Sequence, residues 1–152
     1  MLKVSVIVTA LILSVSSVAN AGSLEDTEFW ERVQTEIDAK AVKSSKTCDT
    51  VITAAIDISS FAGVDLAHAP IQAYGRDAVA ALENVCNTGA SAKKAVQGQI
   101  KTVTLRRGKS GTQVALEKDK SELVVYIDPA KTGISGKKPG SYSWVSAIKE
   151  VL

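Results

Sequence analysis

The single histidine of the chain, His68, lies three positions after Asp65. An imidazole and a carboxylate at that spacing can share a metal ion or act together as an acid–base pair. Zinc hydrolase chemistry needs several ligands in a defined arrangement, and no third ligand is evident near this pair. We therefore expect a loop histidine near the start of a helix, with no metal and no cofactor. The alternative hypothesis is a small hydrolase that uses His68 and Asp65.

Two further sequence patterns of enzymes fail on their details. Gly108-Lys109-Ser110 ends like a phosphate-binding loop, but Val103 stands where that loop requires its first glycine. The tripeptide also follows an alternating, strand-like run, whereas a phosphate-binding loop must open a helix. No G-x-S-x-G occurs in the sequence, so the serine-hydrolase elbow is not indicated. These failures favour a protein that binds rather than catalyses.

The first residues have the pattern of a secretory signal peptide. Lys3 supplies a positive charge, residues 4–18 form a short apolar run, and Ala19-Asn20-Ala21 offers small residues for cleavage. We predict a signal peptide over residues 1–21 and a single domain over residues 22–152, with an uncleaved anchor as the alternative. The mature chain is then exported, periplasmic or extracellular, and has no membrane span.

Two cysteines in an exported chain predict one structural disulfide, Cys48–Cys86. The chain-entropy model assigns a bridge over a loop of this length about 3–4 kcal/mol. A catalytic thiol and a metal pair are the functional alternatives, but no C-x-x-C spacing supports either.

The formal net charge of +2 is too small for a dedicated nucleic-acid binder. Several basic residues nevertheless occur close together in the C-terminal half of the sequence. A turn and a Gly/Lys-rich loop carrying them would form a cationic rim if both lie at one end of the sheet, and such a rim can bind an anionic polymer or protein. Ordinary solvated turns are the alternative. The predicted rim consists of Arg106, Arg107, Lys109, Lys137 and Lys138.

Alternating apolar and polar residues predict three strands, at 100–106, 112–117 and 123–127. Short breaks separate them, and parallel neighbours need crossovers of a dozen or more residues, so we expect an antiparallel meander. Residues 50–58 also alternate and are rich in β-branched side chains, which favours a fourth strand, although a helical face is an alternative.

Helices are predicted before, between and after these strands. The first covers residues 24–43 with Asp26 or Thr27 as its cap, and Phe29 and Trp30 anchor it to the sheet or, alternatively, form a ligand-binding pair. A second helix starts at Pro70 and ends near Asn87-Thr88-Gly89, with Gly75 allowing close approach. Cys86 would pin it to the start of the first strand. Shorter helices are predicted at 92–96 and 141–152.

This order predicts an α+β fold: a small two-layer sandwich with an antiparallel sheet of three to four strands, packed by an N-terminal, a middle and a C-terminal helix. We expect an exported, non-enzymatic binding or interaction module for an unidentified protein or envelope polymer. An inhibitor or a structural component of the cell envelope is the alternative within the same compartment.

Overall fold

The computed structural model describes residues 23–67, 69–108, 113–129 and 141–152. It confirms the α+β class, with four helices and one four-stranded sheet in these residues. The predicted signal peptide lies outside them and stays a prediction. The elements in chain order are α1 (Leu24–Cys48), β1 (Thr53–Ile56), a 3₁₀ turn (Ile58–Phe61), α2 (Ile71–Asn87), α3 (Ala90–Gln99), β2 (Thr102–Arg107), β3 (Val114–Glu117), β4 (Glu122–Ile127) and α4 (Ser141–Val151).

The prediction of an antiparallel meander is wrong. The strand order is β1-β2-β4-β3, so β4 lies between β2 and β3. β1 pairs with β2 and β2 pairs with β4 in parallel, and only β3 and β4 are antiparallel. The sheet is therefore mixed, and its three parallel strands end at the same edge.

Burial explains why β4 takes the central position. Leu123, Val124 and Val125 are fully buried in succession, which is typical of a strand covered on both faces. β3 has only four residues, and only Val114 among them is buried. The chain therefore gains more apolar burial with β4 inside and the short β3 at the edge.

Helix α1 is longer than predicted and starts with a different cap. The Ser23 hydroxyl accepts a hydrogen bond from the Asp26 N–H at 3.2 Å, and the Asp26 carboxylate accepts one from the Ser23 N–H, also at 3.2 Å. This capping box satisfies two donors at the helix start. The helix ends where Asp49 adopts a left-handed conformation, with φ at 56°.

Cys48 and Cys86 form the predicted pair, with their Cα atoms 5.3 Å apart. The bridge joins the last residue of α1 to the last turn of α2. Cys48 was predicted at the start of the first strand, and this placement is wrong because α1 continues through residues 44–48. The disulfide therefore links two helices that already pack along each other.

Gly75 lets α2 approach the sheet closely, as its sequence position predicts. A Cβ atom built on Gly75 would overlap Leu105 Cδ1 on β2. Leu105 and its neighbour in the sheet, Val125, are fully buried in the main core. α2 therefore packs directly on the two central strands.

The last helix also follows its prediction. Trp144 and Ile148 of α4 are buried, and Val151 packs against the same core. α4 contacts α2 and β3, so it covers the edge of the sheet opposite β1. Within the described ranges, no helix combines the length and the apolar character needed to cross a bilayer.

Replacing Gly75 with Ala should lower the free energy of unfolding by about 1–2 kcal/mol, because overpacking a core costs more than the added helix propensity returns. Chemical denaturation measures this change. Gly98→Ala is the matched control, since Gly98 also lies in a helix but an added Cβ there would meet no described residue within 4 Å. We expect Gly98→Ala to raise the free energy of unfolding by about 0.5–1 kcal/mol. Equal stabilisation by both substitutions would contradict close packing at Gly75.

Candidate binding groove

The carboxyl ends of β1, β2 and β4 lie at one edge of the sheet. Gly108 N–H donates to Ile127 O at 3.0 Å there, so the ends of β2 and β4 stay together. Ligands of parallel sheets bind outside this edge, because the loops that follow the strands gather there. In this protein the chain leaving β1 forms one side of a groove at that position.

The groove lies between the N-terminal half of α1 and the chain that leaves β1. We call it the α1–β1 groove, and we call residues 57–66 the wall segment. The groove has a volume of about 690 Å³ and is open to solvent. Its lining is formed by Asp26, Thr27, Trp30, Glu31 and Gln34 of α1, by Ile56 of β1, and by Ile58, Ser59, Phe61, Ala62, Gly63, Val64 and Leu66 of the wall segment.

Trp30 is the central apolar side chain on the α1 side. Its ring packs directly on that of Phe61 of the wall segment, with the centroids 5.4 Å apart, and on that of Phe29, with the centroids 5.0 Å apart. Phe29 and Trp30 are half-buried and pack against the core, as predicted for anchoring residues. Trp30 also lines the groove, so anchoring and ligand contact are compatible in this residue.

Asp57 fixes the start of the wall segment. Its Oδ1 atom accepts a hydrogen bond from the Ser59 hydroxyl at 2.6 Å and from the Ser60 N–H at 3.2 Å. These bonds cap the 3₁₀ turn. The turn buries Phe61 under Trp30 and leaves Ile58 half exposed at the groove. Gly63 then adopts a φ of 75°, which a residue with a Cβ rarely adopts.

Two arginines of β2 hold the wall segment against the sheet. Arg106 Nε donates to Asp57 Oδ2 at 3.2 Å. Arg107 Nη1 donates to Ala62 O at 3.2 Å, and its backbone N–H donates to the Ser60 hydroxyl at 2.9 Å. The wall segment is thus bonded to β2 at both ends of its 3₁₀ turn, and these arginines position the side of the groove opposite Trp30.

Arg106 also belongs to a polar network on the face of the sheet opposite Leu105. Its Nη1 lies 3.7 Å from Glu117 of β3, and Lys120 Nζ lies 2.6 Å from the same carboxylate. Burial alone would lower the pKa of Arg106, but hydrogen bonds to Asp57 and Tyr126 outweigh it and raise that pKa. The Lys120 ammonium lowers the pKa of Glu117. Arg106 therefore stays charged while bonded to the wall segment.

The charge inside the groove is negative. Asp26 and Glu31 line it, and the described lining includes no Lys or Arg. One Asp26 oxygen accepts the Ser23 N–H in the capping box. Aromatic and branched apolar surface next to two carboxylates is suited to a ligand with both apolar and cationic parts.

The predicted cationic rim is only partly described. Arg106 and Arg107 have the wall-segment contacts given above, whereas Lys109, Lys137 and Lys138 lie outside the described residues. Binding of an anionic partner by these five residues stays a prediction.

His68 is also outside the described residues, so its proposed pairing with Asp65 is untested. Asp65 Oδ1 accepts the Ala67 N–H at 3.0 Å. In the four described ranges, no cluster of three or more His, Cys, Asp or Glu side chains could hold a metal ion.

The sequence pattern missed the start of the wall segment, because it predicts a strand through residue 58, whereas β1 ends at Ile56 and a 3₁₀ turn begins at Ile58. A signal for the turn is present: Asp57 is followed three positions later by Ser60, the spacing of a capping aspartate and the N–H it accepts. Ile58 follows the cap directly, so it lies in the turn and not in the strand, and its apolar side chain stays half exposed. The partner of Asp57, Arg106, is 49 positions away, and no local pattern links the two residues.

Acid should weaken the attachment of the wall segment. The Ser59 hydroxyl, then the Ser60 N–H and Arg106, lower the pKa of Asp57 against an opposing effect of burial. A carboxyl whose folded pKa is depressed stabilises the fold above its unfolded pKa, about 3.9, and loses this contribution as the pH falls through the folded value. We expect Asp57→Asn to lower the free energy of unfolding by about 1 kcal/mol at pH 7 and by progressively less below about pH 4.

Urea unfolding at pH 7 and at about pH 3 tests this sign. Ser59→Ala, which removes the strongest donor, should reduce the same pH-dependent contribution without removing the carboxylate. A difference between wild type and Asp57→Asn that stays constant across this range would contradict the role of the Asp57 charge.

Comparisons with protein-family models, with curated proteins and with solved structures gave no match to this chain. The function is therefore argued from the groove and its chemistry.

Proposed function

We propose that this protein is an exported, non-enzymatic binding module whose ligand occupies the α1–β1 groove. The observation that carries the proposal is the groove itself, open at the carboxyl edge of the parallel strands. Its volume of about 690 Å³ lies within the range of small-molecule and peptide pockets. Its lining combines aromatic and aliphatic side chains with a few polar groups, the usual composition of a binding site.

The two-layer arrangement predicted from the sequence is part of this proposal. α1 contacts β1, α2 contacts β4, and α4 contacts β3, which supports one helical layer on one face of the sheet. With α1 at the β1 edge, the chain leaving β1 must turn beside the first turns of α1. The groove is the space between these two segments.

Export is the second part of the proposal. The signal-like pattern of residues 1–21 supports it, as do the Cys48–Cys86 pair and a folded helix that is capped at Ser23, just after the predicted cleavage site. We expect the protein recovered from a producing cell to begin at Gly22. Intact mass spectrometry of the envelope and medium fractions measures this, and a full-length chain retained in the cytoplasm would contradict export.

Ligand binding in the groove should change the fluorescence of Trp30. Trp144→Phe leaves Trp30 as the only tryptophan, and the Trp144 indole nitrogen has no hydrogen-bond partner among the described residues that phenylalanine would lose. In this background we expect apolar and aromatic cations from a set of small molecules and short peptides to shift Trp30 emission. Ile58→Ser should weaken binding by about tenfold, because Ile58 contributes apolar contact area in the groove.

Val42→Ser is the matched control. Val42 lies on α1 and is 57% exposed, close to the 49% of Ile58, but it is outside the groove. Equal loss in both variants, or no ligand that shifts Trp30, would count against the groove. A double variant with Lys137→Ser and Lys138→Ser separates the proposal from the anionic-partner prediction. It should abolish capture of an anionic partner and leave a groove ligand bound.

A further inference from the structure

The free edge of β1 forms one end of the α1–β1 groove. β1 is the outermost strand of the sheet on the α1 side. Thr53 N–H donates to Lys101 O and Asp57 N–H donates to Leu105 O, both at 2.9 Å, so these residues face β2. Peptide groups alternate in direction along a strand. The N–H and C=O groups of Ala54 and Ile56 therefore face the open edge.

One side chain of α1 reaches this edge. Gln34 Nε2 donates to Ala54 O at 3.0 Å and to Asp38 Oδ1 at 2.8 Å. Within the described residues, no hydrogen-bond partner is found for the edge-facing N–H and C=O of Ile56. A strand edge with unpaired peptide groups is a template for another extended chain. Ile56 also lines the groove, so a chain paired there would place its side chains in it.

Charge and shape define what this chain must carry. Asp26 and Glu31 lie on the α1 side with no basic residue in the described lining. Trp30, with Phe61 buried against it, and the half-exposed Ile58 offer apolar surface beside the β1 edge. The α1 side spans residues 26–34, about 12 Å of helix, which corresponds to about four residues of extended chain.

We propose that the ligand of the groove is an extended peptide segment that adds to the free edge of β1 and carries a lysine or arginine close to an aromatic or branched apolar residue. This inference rests on the proposed function and names the ligand class for the same site. The peptide backbone pairs with Ile56, the apolar side chain packs on the groove side of Trp30, and the cationic side chain lies beside Asp26 and Glu31.

Selective backbone methylation of a probe peptide tests the strand pairing. The probe is acetyl-Lys-Val-Phe-Val-Lys-amide, and its binding to the full protein is followed by Trp30 emission in the Trp144→Phe background. Two analogues carry N-methyl groups, one at the second and fourth residues and the other at the third and fifth. Only one set of N–H groups can face β1, so we expect one analogue to bind about tenfold or more weakly and the other to bind like the parent.

Two further measurements identify where and how the probe binds. Hydrogen exchange of the Ile56 amide should slow when the parent peptide is bound, because that N–H gains a partner. Glu31→Gln should weaken the parent peptide by about threefold or more at low salt, and this difference should shrink at high salt. The analogue with Glu in place of both Lys residues should bind at least tenfold more weakly than the parent.

The outcomes separate this inference from the proposed function. If both N-methyl analogues bind like the parent, or both are weakened equally, strand addition is overturned. Groove binding then still stands when Ile58→Ser weakens the parent. If the parent peptide fails to bind while other apolar cations shift Trp30, the peptide class is overturned and the groove function is kept. If no ligand of either kind shifts Trp30, the proposed function fails together with the inference.

Discussion

The ion pair between Arg106 and Asp57 is the contact on which the arrangement of the groove depends. It joins β2 to the first residue after β1, at the point where the chain turns away from the sheet. Both side chains are about one-third exposed, so the pair is neither a solvated surface contact nor a fully desolvated one. Asp57 also caps the 3₁₀ turn, so the same carboxylate fixes both the attachment of the wall segment to β2 and the start of the turn. Together with the bonds from Arg107 to Ser60 and Ala62, it holds the turn that places Phe61 against Trp30.

The helical packing makes this contact possible. Gly75 allows α2 to lie directly on β2, and the fully buried Leu105 fills the space between them. Arg106 follows Leu105 on the same strand and therefore points to the opposite face of the sheet. The core and the groove are thus linked through two neighbouring residues of one strand. The position of the wall segment follows from the packing of α2 on the sheet.

The sequence predicts well what depends on local pattern and less well what depends on distant partners. The 3.6-residue periodicity around Val33 and Ile37 predicts α1, and Pro70 and Gly75 predict the start and the close packing of α2. The strand order is different: β4 pairs with β2 because its continuous apolar run is buried on both faces, and short connections alone suggested a meander. A greater weight on the run Leu123-Val124-Val125 would have placed β4 in the centre.

The roles of Arg106 and Arg107 at the groove likewise depend on partners that are distant in the sequence. The sequence gives no sign that Arg106 and Arg107 bind the wall segment, because their acceptors in that segment lie 45 to 49 positions earlier. Chemistry-bearing residues can be identified by type, but their roles depend on which residues the fold places beside them. Here two of the residues predicted to bind an anionic partner also position the wall of a groove whose described lining is negatively charged.

The most direct test of this account is the contact between Trp30 and Phe61 in solution. Nuclear Overhauser effects between the two rings measure it, and the Arg106→Gln variant tests its cause. We expect clear ring-to-ring effects in the wild type, because the two ring centroids are 5.4 Å apart, and their loss or marked weakening in a folded Arg106→Gln protein. Absence of these effects in the wild type, or their full retention in the variant, would contradict this account.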